Sequence, residues 1–285
     1  MLGGGHGFLV ARAERTNIHE PSLCPDGSER NLQLGCGAFR GVVGSAWRRV
    51  RAPRVGPALG NVTRARQPDR LRSREVQATR ISERLTFWTA PHPAWKPNPE
   101  WPEEVGFVTW LGSDSYVLID PLVRDDLDAT AWEPFDRAVS DSGRAAVVLL
   151  TAPWHERSAR AVAARYEARV WIHPASRARV SDLPELRTLP MGVETFVPAG
   201  VDEGQVAFHV VPERTLVVAE FFLGVEGGLR VASSPATRDA AAFATSLEQL
   251  RHLPIDNVLV AHGPPVLGEG GDAIAAALEA FGETK

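Results

Sequence analysis

The sequence predicts an α+β domain of αββα type, two sheets packed between helical layers, over residues 81–285, behind an Arg-rich extension of residues 1–80. Three observations predict it: a change of texture near Ile81, strands that pair early, and later strands that alternate with helices. The chain has 285 residues, 44% apolar and 23% charged, ample for one large domain.

The extension differs from the rest in kind. Residues 1–80 hold 14 Arg, no Lys and 6 acids, a net of +8, whereas residues 81–285 hold 17 basic and 29 acidic residues, a net of −12. No period of 2 or 3.6 is sustained in the extension. Its scattered Gly, Pro, Ser and Arg cannot bury enough apolar surface to offset chain entropy, so disorder is expected. A nucleic-acid arm would need clustered Arg interleaved with aromatics, and only the stretch from Trp47 to Arg51 offers that. Arg without Lys fits better with upstream sequence translated from an early start, so nucleic acid is not the expected partner. Cys24 and Cys36 both lie in the extension. The folded part then needs no disulfide, and a cytoplasmic location is expected. No apolar run approaches the ~20 residues of a membrane span, and residues 1–15 lack a secretion-signal pattern.

From Ile81 the elements follow in order. Residues 85–89 and 105–111 are rich in β-branched and aromatic residues and read as strands. Residues 115–120 follow Gly112, Ser113 and Asp114, a turn signal, so a hairpin is expected. Residues 145–151 are a continuous apolar run, the mark of a strand buried on both faces. A helix over 158–168 and a strand over 170–173 complete a strand–helix–strand unit with a right-handed crossover. Residues 206–211 and 215–219 form a second hairpin around Pro212. Residues 237–253 read as helix, 257–261 as a buried strand and 271–281 as the closing helix. The stretch from Trp88 to Pro102 carries repeated Pro and Trp. Proline lacks an amide donor, so a loop is expected, either covering a sheet edge or forming a flap with Trp88, Trp95 and Trp101.

Five landmarks carry a resemblance. They are the strand from Tyr116 to Asp120 before Pro121; the strand-to-helix segment 149–158; the Gly-containing segment 199–208; the strand 215–218 continuing through Glu220 to Gly224; and the final His262-Gly-Pro-Pro loop. In order and spacing these resemble the metallo-β-lactamase superfamily, over roughly residues 83–282. The resemblance implies a four-layer αββα sandwich and a hydrolase ancestry. In that family two metal ions, usually zinc, are held by His and Asp at strand ends and activate the attacking water.

Most of the matching positions have changed. Ala152 and Trp154 match the first two His of the family's Thr-His-x-His-x-Asp-His motif. Glu156 matches its Asp and Arg157 its last His. Val201 matches the His of the second segment and Glu220 the bridging Asp, so only His262 is an unchanged ligand type. Ala, Trp and Val donate no lone pair, so the first site, left with Glu220, is expected to be empty. At the second site Arg157 is a fixed cation.

Two readings stay open. In one the metal centre is eroded and no cofactor is expected. Arg157 then stands where the metal stood, paired with Glu156 and Glu220 beside His262, and the protein binds a small molecule or works without metal. In the other a single zinc, iron or manganese ion sits on Glu156, Glu220 and His262. His155 is within reach after a small register slip, and the reaction is hydrolysis of an ester, thioester or lactone. The pocket candidates are therefore Trp154, His155, Glu156, Arg157, Glu220, His262 and Asp120, with no catalytic role assigned. Each has a plainer alternative: His155 a turn residue, Trp154 packing in the vacated pocket, the charged residues a structural salt bridge, His262 a loop residue, Asp120 a turn cap before Pro121. His173 and His209 read as half-buried strand residues and His92 as a loop residue. No phosphate-cradling glycine loop, Gly-x-Ser-x-Gly elbow or Cys-x-x-Cys knuckle occurs.

Overall fold

The computed structural model describes residues 76–97, 101–232 and 237–283. Cys24, Cys36 and the disorder expected of residues 1–75 lie outside the described residues.

The first sheet is built in chain order from β1 (Gln77–Arg80), β2 (Leu85–Pro91), β3 (Glu104–Leu111), β4 (Ser115–Ile119), β5 (Ala145–Leu149) and β6 (Arg169–Trp171). The pairings are antiparallel from β1 to β4 and parallel from β4 to β6. Parallel neighbours need crossovers, supplied by α1 (Glu133–Ser142) and α2 (Ala159–Tyr166). β7 (Val193–Phe196), β8 (Ala207–Val210) and β9 (Thr215–Val218) make an antiparallel meander. A separate hairpin follows, β10 (Phe222–Val225) and β11 (Gly228–Val231). After α3 (Ala240–Leu247), β12 (Asn257–Val260) returns parallel to β9 and completes the second sheet in the order β12-β9-β8-β7. α4 (Gly270–Glu283) closes the domain.

Strand periodicity sorts the side chains into layers. Tyr116 and Leu118 of β4 and Val148 of β5 face α1 and α2, packing with Phe135 and Val162. Their alternates Val117, Ile119, Val147 and Leu149 face the second sheet and meet Phe208, Val217 and Leu259. Leu216, Val218, Val258 and Val260 face α3 and α4, with Phe243, Leu247, Ile274 and Leu278. Three apolar seams between four layers give the αββα sandwich. They also explain why β5 reads as an unbroken apolar run, since both of its faces are buried.

Several expectations need correction. The fold begins before Ile81, because β1 pairs with β2 from Gln77 opposite Thr89 to Arg80 opposite Thr86. All four β1 residues are exposed, so no apolar pattern announces the strand. The stretch from Trp88 to Pro91 is strand, not loop. The His92 amide bonds back toward β3, to the Glu103 carbonyl at 2.9 Å. The Pro91 nitrogen therefore points to the β1 side, past the last β1 pair, and forfeits no ladder bond. Trp88 is accordingly half-buried against the outer core, stacked on Phe107 with its Nε1 donating to Thr109 Oγ1 at 2.9 Å. The helix expected over 237–253 starts at Ala240, after the Asp239 cap, and tightens into a 3-10 turn at Glu248–His252. His173 falls just beyond β6, and its Nδ1 accepts from the Ala175 amide. His209 lies in β8 and is buried, not half-buried.

Candidate metal centre

The centre forms where β4, β5, β9 and β12 end at their C-terminal sides. Asp120 follows β4 in a left-handed conformation, φ +50°, with its amide bonded to the Leu149 carbonyl at 3.0 Å. This seats the carboxylate under the end of β5. Thr151 N donates to Asp120 Oδ1 at 2.9 Å, and Thr151 Oγ1 donates to Oδ2. After Thr151 the chain turns, with the His155 amide bonded to the Ala152 carbonyl. That turn brings His155 Nδ1 to 2.8 Å from Asp120 Oδ2 and 3.0 Å from Thr151 Oγ1. A carboxylate at Nδ1 selects the Nδ1–H form and leaves Nε2 as the lone-pair nitrogen. His155 Nε2 lies 3.8 Å from Oε1 of Glu220, in the link between β9 and β10. Trp154 Nε1 donates to the same oxygen at 2.9 Å.

His262 enters after β12. Its carbonyl accepts the Gly224 amide at 2.9 Å, and its backbone bridges Val105. Gly263 sits at φ +88°, where an added Cβ would stand 2.1 Å from the Gly224 carbonyl oxygen. The glycine is therefore required both by conformation and by close approach. The His262 ring meets Trp101 edge-on, centroids 4.5 Å apart, and its Nδ1 is buried with no hydrogen-bond partner among the described residues. One donor atom each from His155, Glu220 and His262 falls within 4.8 Å of the others.

Electrostatics follow from burial and neighbours. Burial and the Arg157 charge oppose a proton on His155, yet Asp120 and Glu220 outweigh them and hold its pKa above the ordinary value. Burial would raise Asp120, but His155, Arg157 and Thr151 together hold it below the usual carboxylate range. Glu220 is also lowered: burial is overcome by His155, the Trp154 N–H and His262. Burial, then the His155 and Arg157 charges, push His262 down to about 4, so it is neutral at pH 7 with a lone pair to give.

The structure brings together His155, Glu220, His262, Asp120 and Trp154, keeps the Arg157 charge beside them with its hydrogen bonds turned to the backbone, and places Glu156 elsewhere. Glu156 pairs with Arg160 one helical turn on, which in turn bonds Asp182. It does not join the donor group, and its neighbour His155 takes that place. Arg157, at φ +40°, sends Nη1 to the carbonyl oxygens of Gly106 and Asp120, at 2.8 and 3.1 Å. Backbone carbonyls, not the expected carboxylates of Glu156 and Glu220, take its hydrogen bonds. Trp154 does not fill a vacated pocket but stands 39% exposed at its rim. Ala152 is buried, and Val201 bridges Thr237. The sequence reading did not single out Thr151, whose hydroxyl and amide fix Asp120. His92 is a loop residue as expected, just past β2, but its nearness to the centre was not read: its ring feels the charges of Arg157 and His155 after the larger effect of its own burial. A His between two prolines carries no pattern that would have found it.

No protein-family model and no curated protein matches the sequence. Solved structures do. The metallo-β-lactamase from Pontibacter korlensis aligns at 14% identity and TM-score 0.55, covering 73% of this chain and 99% of that one. DIM-1 metallo-β-lactamase aligns at 11% identity and TM-score 0.55, with 74% and 99% covered. FIM-1 from Pseudomonas aeruginosa, solved in a mono-zinc form, aligns at 15% identity and TM-score 0.50, with 72% and 95% covered. These alignments, each over most of both chains, show that the chain has the metallo-β-lactamase fold.

Proposed function

We propose that this chain is a hydrolase-like protein whose centre has contracted from two metal ions to one, held by His155, Glu220 and His262. The observation that carries the reading is the convergence of those three donors within 4.8 Å. Two imidazoles and a carboxylate form a donor set of the kind that catalytic zinc sites use, with a position left open. Neutral His262, whose Nδ1 has no hydrogen-bond partner among the described residues, and the Asp120-oriented His155 fit an ion. A second ion does not fit, because Ala152 and Val201 are hydrocarbon and the Trp154 nitrogen is a donor. The mono-zinc form of FIM-1 supports the compatibility of one ion with this fold.

A bound divalent ion would supply Lewis acidity and activation of water. The chain supplies the positioning: Asp120 fixes the His155 ring, Trp154 holds Glu220, and Arg157 ties β3 to the end of β4. The substrate class is a carbonyl compound, an ester, thioester or lactone, taken from a cytoplasmic small-molecule pool. Zinc titration of chelator-stripped protein tests the reading. One equivalent should bind, binding should be lost in His262→Ala, and turnover of an ester, thioester and lactone panel should stop with EDTA and return with zinc. Protein that retains no stoichiometric zinc, iron or manganese would end it.

One observation favours a second reading, the metal-free ligand-binding domain. His155 holds a proton above its ordinary pKa between Asp120 and Glu220, and a proton there supplies the positive charge an ion would bring. That protein would bind or turn over its ligand identically with and without EDTA.

A further inference from the structure

Trp154 matches a histidine of the motif that the sequence resembles, and its side chain is bonded to the centre. Its Nε1 donates to Glu220 Oε1 at 2.9 Å, and the same oxygen is 3.8 Å from His155 Nε2. The indole N–H therefore holds the carboxylate oxygen that faces His155. The ring also flanks His155, centroids 6.4 Å apart at nearly a right angle. It is 39% exposed, so its position is not forced by the core. A large apolar side chain left at a polar rim loses burial free energy, and its one specific interaction in return is with the carboxylate.

We propose that Trp154 is a positioning residue for the centre. Its N–H holds the Glu220 carboxylate in the orientation that serves a single ion with His155 and His262. The proposal rests on the single-ion reading above and concerns this chain's own residues. The N–H is the active part, and the ring only carries it. A hydrogen bond to a charged group contributes about 1.5–3 kcal/mol, roughly ten- to a hundredfold in affinity.

The test is a zinc titration against a chromophoric chelator, with the absorption spectrum of the cobalt-substituted protein as a second readout, on the full chain and three variants. Trp154→Phe keeps the ring and removes the N–H. It should bind zinc about tenfold or more weakly, with a shifted cobalt spectrum and unchanged circular dichroism. Trp154→Gln supplies an N–H donor without the ring and should recover part of the affinity, which a purely packing role would not allow. If Trp154→Phe binds zinc with parental affinity and spectrum while His262→Ala has lost it, the single-ion reading stands and the Trp154 proposal falls. If the parent chain binds no zinc at all, both fall.

Discussion

Asp120 accepts two bonds from Thr151 and one from His155, all on a backbone at φ +50° that non-glycine residues seldom adopt. Asp120→Asn should keep the shape but lose the charge that fixes the His155 tautomer. Zinc affinity measured by chelator competition should fall about 10- to 100-fold, with secondary structure retained; an unchanged dissociation constant would show that His155 orients itself. His262 carries a pH prediction of definite sign. Its folded pKa, about 4, lies below the ordinary 6.5. Above pH 6.5 both the folded and unfolded forms are neutral and nothing is lost. Between 6.5 and 4 the unfolded chain takes a proton that the folded chain refuses, so stability falls with pH in that window. Urea midpoints of metal-free protein at pH 7, 6 and 5 should decline, and less steeply in His262→Gln. His155 has the opposite sign: its raised pKa gives stability that is fully present below 6.5 and is lost as pH rises through the folded value. The site was half legible at this scale. Glu220 and His262 could be read because both keep a donor at the strand end where the fold needs one. His155 could only be reached through a slip, because motif spacing numbers residues along the chain. The turn closed by the His155 amide and Ala152 carbonyl decides which ring meets Asp120.

Secondary-structure elements that bury both faces were legible, and those that bury little were not. β4, β5, β9 and β12 announce themselves as apolar runs, and every residue of β4 and β9 is buried. β1 is exposed throughout, and α1 carries only a short apolar period, Phe135, Ala138 and Val139, of which Phe135 alone is fully buried. Close backbone approaches were equally silent, since a glycine in sequence does not say what it faces. At Gly106 of β3 a Cβ would stand 2.3 Å from the Val260 carbonyl oxygen of β12, and the Gly106 carbonyl is an Arg157 acceptor. Gly106→Ala should therefore push the sheets apart at the centre, with a cost of about 2–4 kcal/mol by urea denaturation. Two other glycines separate conformation from contact. Gly263 and Gly227 have similar positive φ, +88° and +82°, but a Cβ at Gly263 meets the Gly224 carbonyl and one at Gly227 meets nothing within 4 Å. Gly227→Ala should cost about 1–2 kcal/mol, the left-handed penalty alone. Gly263→Ala should cost clearly more and weaken zinc binding through the adjacent His262. Equal costs for the two would mean that the His262 loop is not pinned by Gly224.

At the scale of the whole molecule, the boundary between extension and domain is set by hydrogen bonding, not by composition. Texture and charge change near Ile81, yet the sheet reaches back to Gln77, and Val76 packs against the outer core of the first sheet. β1 contributes no buried side chain. Its part is to pair the outer edge of β2, the strand whose other edge meets β3 along seven residues. An unpaired β2 would present a row of free backbone groups beside Thr86 and Trp88, a template for pairing with another chain. Two shortened chains distinguish these roles. A chain starting at Val76 should match the full chain in urea midpoint and zinc stoichiometry, because every strand and donor among the described residues is kept. A chain starting at Ile81 should lose about 1–3 kcal/mol, the worth of a few backbone hydrogen bonds. It should also associate as concentration rises in sedimentation, while still binding zinc as a monomer at low concentration, since β1 pairs with β2 and supplies none of the three donors. If the Ile81 chain is as stable and as monomeric as the Val76 chain, β1 is an ornament of the edge and the composition boundary is the physical one.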